Sequence, residues 1–141
     1  MVIVARTDAR QRYGLDEAIK RGNRYASAGA DVIFVEAPLS IAELEELPRR
    51  IPVPLMVNMV EGGRTPLLSS DKLGRMGYKI VIWPDTPMAA AAYGMRAALS
   101  ELKDKGTTAH IIDRLTTFEE MRSLLRFSNY RELDQRFGPR G

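Results

Sequence analysis

Four short apolar runs rich in β-branched residues, VIVA at 2–5, VIFV at 32–35, LMV at 55–57 and KIVIW at 79–83, constrain this chain most tightly. Their starts are spaced by about 23 to 30 residues, and a stretch with helical periodicity separates each from the next. A strand–helix–strand series of that kind has one stable solution. The crossover handedness rule makes the sheet parallel and packs the helices outside it. The repeat is one of structure, with no internal sequence repeat.

The intervening stretches carry matching signals. After Gly14, the positions Leu15, Ala18, Ile19, Gly22, Tyr25 and Ala26 recur at spacings of one helical face, which predicts a helix over 16–28 that Gly29 ends. Ser40 is placed to cap a short helix carrying Leu44 and Leu47, terminated near Pro48. Ser69 or Ser70 caps another with Leu73 and Met76 inward, closed by Gly77. A long helix is expected over 88–105, before Gly106, with Ala89–Ala92 in close helix packing. Beyond it, Thr117 and Glu120 spell a capping box, and Asn129 and Glu132 stand in a similar relation ahead of Tyr130, Leu133 and Phe137. These last helices have apolar faces and no strand of their own to cover. The expected division is therefore 1–106, a parallel βα unit, and 107–141, a helical extension that docks on another subunit.

Composition removes several classes of function. The chain has 141 residues and no cysteine, which excludes a disulfide framework, a thiolate metal site and a thiol nucleophile within it. Its 21 basic and 18 acidic residues are intermixed, for a formal charge of +3, with no basic block suited to nucleic acid. No apolar run approaches the roughly 20 residues that span a bilayer, and no secretory pattern precedes the first run. A cytoplasmic protein without nucleic-acid or membrane partners is the expectation.

Chemistry-bearing residues gather where these strands end. The segment 53–66, VPLMVNMVEGGRTP, passes from an apolar strand into Asn58 and Glu61 and breaks at Gly62-Gly63. Arg6 and Asp8 follow the first run, and Glu36 follows the second. In a closed parallel barrel such strand ends converge on one mouth. A guanidinium there can hold a substrate carboxylate through two parallel hydrogen bonds, with an amide and a carboxylate beside it. The alternative is that Arg6, Asp8 and Glu36 only pair with one another, and that Asn58 caps a turn. Arg64 is either ligand-facing or solvated. His110, the single histidine, belongs to the surface or an interface, and Trp83 and Tyr78 to packing.

The stretches VIVARTDAR at 2–10, GLDEAIKRGNRYASAGADVIFVEAP at 14–38 and VPLMVNMVEGGRTPLLS at 53–69 resemble the isocitrate lyase/phosphoenolpyruvate mutase superfamily. YKIVIWP at 78–84 and KDKGTT at 103–108 continue the likeness. The resemblance implies a (β/α)8 barrel of the TIM type, of which this chain corresponds to the C-terminal half, strands five to eight, plus C-terminal helices. It implies Mg²⁺ at the barrel mouth, a 2-oxo or enolate group as ligand, and cleavage or formation of a C–C or P–C bond next to a carboxylate. It makes Arg6 the grip on the substrate carboxylate, with Glu36 beside it and Asn58 a further contact. The candidate substrate-binding set is Arg6, Glu36, Asn58, Glu61 and Gly62, with no catalytic residue or metal ligand assigned to this half.

The family's aspartate cluster for Mg²⁺ and its lysine–cysteine loop have no counterpart here, so a C-terminal piece, inactive by itself, is expected. The NMVEGG-x-TP spelling resembles the 2-methylisocitrate lyase, dimethylmalate lyase and oxaloacetate decarboxylase-like group more than the phosphonate-forming mutases. The arginine that methylisocitrate lyases carry after the eighth strand is missing from 84–92, which points to a di- rather than a tricarboxylate. Two classes compete: a catalytic half active within a complete barrel, or a non-catalytic remnant that oligomerises through its C-terminal helices.

Overall fold

A computed structural model describes residues 1–138. Contacts within the chain divide it into two compact units, Met1–Ala91 and the residues from Ala92 onward. That division falls inside the long helix, whereas the sequence pattern places its boundary at 106/107.

The first unit holds a four-stranded parallel sheet in the order β1-β2-β3-β4, with β1 Val4–Thr7, β2 Val32–Val35, β3 Leu55–Asn58 and β4 Ile80–Ile82. Between them lie α1 Ala9–Tyr13, α2 Leu15–Ser27, α3 Ile41–Arg50 and α4 Ser70–Met76, and α5 Thr86–Lys105 follows β4. Strand register sorts side chains onto two faces, because successive residues point oppositely. Ile33, Val35, Leu55 and Val57 share one face and join Ala18, Ile19, Leu44, Leu47 and Leu73 from the helices in a single buried core. Arg6, Phe34 and Met56 align across the other face, where Val4 is 43% exposed. On this face burial is deepest on β2, while Met56 on β3 is part-buried. Val32 and Phe34, on a central strand, are each 5% exposed, and the Arg6 guanidinium lies 5.1 Å over the Phe34 ring.

Local chemistry explains where the elements begin and end. The first strand starts at Val4 rather than Val2, because the Ile3 amide donates to the Asp31 carboxylate (2.8 Å) instead of entering the ladder. The short helix α1 goes unseen by periodicity, since one turn with a single buried residue, Ala9, shows no repeat. Pro48 does not terminate α3 but sits inside its last turn. It deletes one helical donor there, and the helix still closes with Ile51 N–H donating to the Leu47 carbonyl (3.0 Å). Ser40 and Ser69 cap α3 and α4 as expected, accepting from the Glu43 and Lys72 amides. Tyr78 is buried in the core, and burial pushes its phenol pKa up; Trp83, expected to pack, is 36% exposed beyond β4.

Gly77 turns α4 toward β4 at φ 117°, and a Cβ there would stand 2.9 Å from Pro48 Cβ. Both the left-handed backbone and the contact exclude a side chain. Gly77→Ala should therefore destabilise the first unit by ~2 kcal/mol or more, read as a lower urea midpoint with an unchanged slope. An unaltered midpoint would contradict it.

In the second unit, α6 Phe118–Leu124 opens with the capping box: Thr117 Oγ1 accepts from the Glu120 amide and the Glu120 carboxylate from the Thr117 amide. The second expected cap is displaced. α7 Phe127–Phe137 begins at Phe127 after Arg126 in a left-handed conformation, which leaves Asn129 inside the helix. A 3-10 segment, Ala109–Arg114, carries the exposed His110. None of α5, α6 or α7 has a buried residue, and Ala89–Ala92 are exposed rather than closely packed. No helix among the described residues is long and apolar enough to cross a membrane.

Candidate active site

At the C-terminal ends of β1, β2 and β3, the first unit opens a cavity of ≈ 330 Å³ lined by Arg6, Asp8, Glu36, Asn58, Arg64 and Thr65, among others. Three adjacent parallel strands thus deliver Arg6, Glu36 and Asn58 to one concavity, as the convergence of strand ends requires.

Arg6 is held in place before any ligand arrives. Its Nη2 donates to Asp8 Oδ1 (2.8 Å) and its Nε approaches both Asp8 oxygens at 3.2 and 3.3 Å. This hydrogen bonding raises the Arg6 pKa above its ordinary value and holds the Asp8 carboxyl below its own. Glu36 Oε2 lies 3.4 Å from Arg6 Nη2, close enough for charge attraction but without hydrogen-bond geometry. The pairing that competes with ligand binding therefore exists for Asp8 and is incomplete for Glu36.

Two acceptors are left over. Glu36 Oε2 and Asn58 Oδ1 are buried with no hydrogen-bond donor among the described residues. Acceptors withdrawn from water and unpaired are costly, and a site that carries them is suited to a ligand presenting donors, such as a hydroxyl. Ala37, between Glu36 and Pro38, adopts φ 54° and lines the same cavity. A left-handed non-glycine residue stores strain of order 1–3 kcal/mol, and such residues cluster at functional sites.

Asn58 leads into a β-turn, with the Gly63 amide donating to the Val60 carbonyl (3.0 Å) and Gly62 at φ 73°, the positive value its third position requires. The turn brings Arg64 and Thr65 to the cavity wall. The cavity lining does not include Glu61 or Gly62. Glu61 is exposed and accepts a 2.5 Å hydrogen bond from Thr86 Oγ1, which lowers its pKa, while Gly62 serves the turn. Of the candidate set, Arg6, Glu36 and Asn58 meet in the cavity; Glu61 and Gly62 do not line it. Gln11 also lines the cavity, and no motif or periodicity marked it, because it comes from the one-turn helix α1.

These residues do not form a magnesium site by themselves. The carboxylates in the cavity, Asp8 and Glu36, both face Arg6, and among the described residues no group of three His, Asp or Glu side chains is placed to hold a metal ion.

Residues 1–103 match the family model described as phosphoenolpyruvate phosphomutase. The chain belongs to this family. It is 41% identical over 136 residues to the 2,3-dimethylmalate lyase of Eubacterium barkeri, covering 96% of this chain and 47% of that enzyme. Among solved structures it is similar to oxaloacetate acetylhydrolase in complex with the product oxalate: TM-score 0.87, 30% identity, 98% of this chain and 47% of that one. It is also similar to phosphonopyruvate hydrolase in complex with oxalate and Mg²⁺, with TM-score 0.78, 25% identity, and 96% and 49% coverage. The chain spans about half the length of the curated relatives it matches. Its parallel βα units and C-terminal helices are those of a TIM-barrel superfamily member, the isocitrate lyase/phosphoenolpyruvate mutase superfamily.

Proposed function

We propose that this phosphoenolpyruvate phosphomutase-family chain supplies the carboxylate-gripping half of a cytoplasmic carbon–carbon lyase. Its substrate is a 2-hydroxy or 2-oxo dicarboxylate of the dimethylmalate or oxaloacetate kind, reacting through an enolate. The observation that carries this reading is the convergence of Arg6, Glu36 and Asn58 on one cavity, with the Glu36 and Asn58 acceptors unpaired. Arg6, pre-oriented by Asp8, binds the carboxylate next to the bond that breaks. Glu36 and Asn58 accept from the substrate hydroxyl and fix its orientation. The oxalate-bound relatives support a small carboxylate as ligand. Mg²⁺ dependence is proposed from the Mg²⁺–oxalate complex of one relative, with the ligands contributed by the other four βα units of a barrel.

The isolated chain should accordingly show no turnover of dimethylmalate or oxaloacetate with Mg²⁺ supplied. Activity should appear when the four N-terminal βα units of a family lyase are co-expressed with it or joined to its N-terminus. Metal-dependent turnover by the 141-residue chain alone would contradict the division of labour. A folded, complemented barrel with no activity would favour the second reading, an oligomerising scaffold. The exposed Phe118, Leu124 and Phe137 of the tail helices, at 81%, 73% and 74%, are what favour that reading.

A further inference from the structure

The guanidiniums in the cavity differ in one respect. Arg6 is already engaged by Asp8 and approached by Glu36, whereas Arg64 forms no ion pair and donates no side-chain hydrogen bond among the described residues. Arg10, Arg21 and Arg50 are matched to carboxylates at 2.5 to 2.9 Å; Arg12, Arg24 and Arg75 form no ion pair among the described residues either, but none of them lines this cavity. An unmatched cation on a cavity wall is a ready anion receptor. Its position is also specified, because Arg64 directly follows the hydrogen-bonded turn that Gly62 and Gly63 close. Gly63 cannot readily be replaced, since a Cβ there would meet the Val60 carbonyl oxygen at 3.0 Å. The turn therefore anchors the backbone at Arg64 while its side chain stays solvent-accessible.

We propose that Arg64 is a specificity-determining residue that binds the second carboxylate of the substrate, the one distal to the carboxylate held by Arg6. The inference rests on the proposed carboxylate grip and adds to it the residue that separates dicarboxylates from monocarboxylates. A planar carboxylate suits the guanidinium fork, which holds two oxygens in parallel hydrogen bonds. The engaged state of Arg6 sharpens the division of roles. Arg6 shares its donors with Asp8 and orients one end of the ligand, and Arg64, with no donor engaged among the described residues, selects for charge at the other end.

Titration of the 141-residue chain with malate and with lactate, followed by NMR chemical shifts, tests this, because the two 2-hydroxy acids differ by the distal carboxylate. The wild-type chain should bind malate about tenfold more tightly than lactate, the size expected of one charge-assisted contact. Arg64→Gln should abolish that preference while leaving lactate affinity unchanged, and Arg64→Lys should keep part of it. Arg6→Gln should weaken both ligands. If Arg64→Gln leaves the malate preference intact, or weakens malate and lactate equally, the role of Arg64 is overturned while the Arg6 grip stands. If the wild-type chain binds neither acid, the carboxylate grip fails, and the role of Arg64 with it.

Discussion

Purified alone, the 141-residue chain should elute in size-exclusion chromatography with light scattering as a dimer or larger assembly, well above its 15.8 kDa monomer mass. Four parallel strands cannot close a barrel of this family, which takes eight. β1 and β4 are the sheet's edges and present unpaired backbone groups ready for another strand. Apolar surface adds to the drive. Val4 is 43% exposed on β1, and Phe118, Tyr130 and Phe137 are 81%, 66% and 74% exposed in the second unit. Each such side chain contributes about 1.5–3 kcal/mol when fully buried, so a few of them rival a small domain's whole stability of about 5–15 kcal/mol. Pairing of edges between copies and burial of the tail helices both relieve that exposure. A sharp 15.8 kDa peak with cooperative thermal unfolding would show that the edges are tolerated.

Arg6→Ala should weaken carboxylate binding roughly a hundredfold, because it removes a bidentate, charge-assisted contact. It also leaves Asp8 and Glu36 facing each other across the cavity without their shared cation. The effect on thermal stability should be small by comparison. The Arg6 and Asp8 side chains are 50% and 64% exposed, and solvent screens such pairs to between about 0 and 1 kcal/mol. The pH behaviour supplies an independent readout. Arg6 holds the folded-state pKa of Asp8 below its ordinary value, so the pair's contribution is present above the unfolded carboxyl pKa and is lost as pH falls through the depressed one. In Arg6→Ala the Asp8 carboxyl should titrate at higher pH, toward the ordinary aspartate value, as followed by its NMR shift. Unchanged affinity together with an unchanged Asp8 titration would mean that Arg6 neither grips the ligand nor is oriented by Asp8.

Much of this molecule is written locally. The alternation of β-branched runs with helical stretches dictated the parallel sheet, because handedness leaves no other arrangement. Ser40, Ser69 and the Thr117–Glu120 box announced their helices, since a cap is a contact between residues three apart. That Arg6, Glu36 and Asn58 line one cavity was legible for the same reason: each sits at or just past the end of its own strand, and parallel strands all end on one side.

What local pattern does not encode is competition between partners distant in sequence. Asp31 takes the Ile3 amide and delays the first strand, Thr86 takes the Glu61 carboxylate, and Gln11 reaches the cavity from a turn too short to show a period. The Arg6–Asp8 contact, two residues apart, is local, but that Glu36 Oε2 and Asn58 Oδ1 are left without a donor among the described residues was decided only by tertiary structure. The sequence set which residues arrive at the mouth, because strand direction is a local property. Which of them are already paired there, and which are left without a partner among the described residues, depends on distances across the sheet that only packing determines.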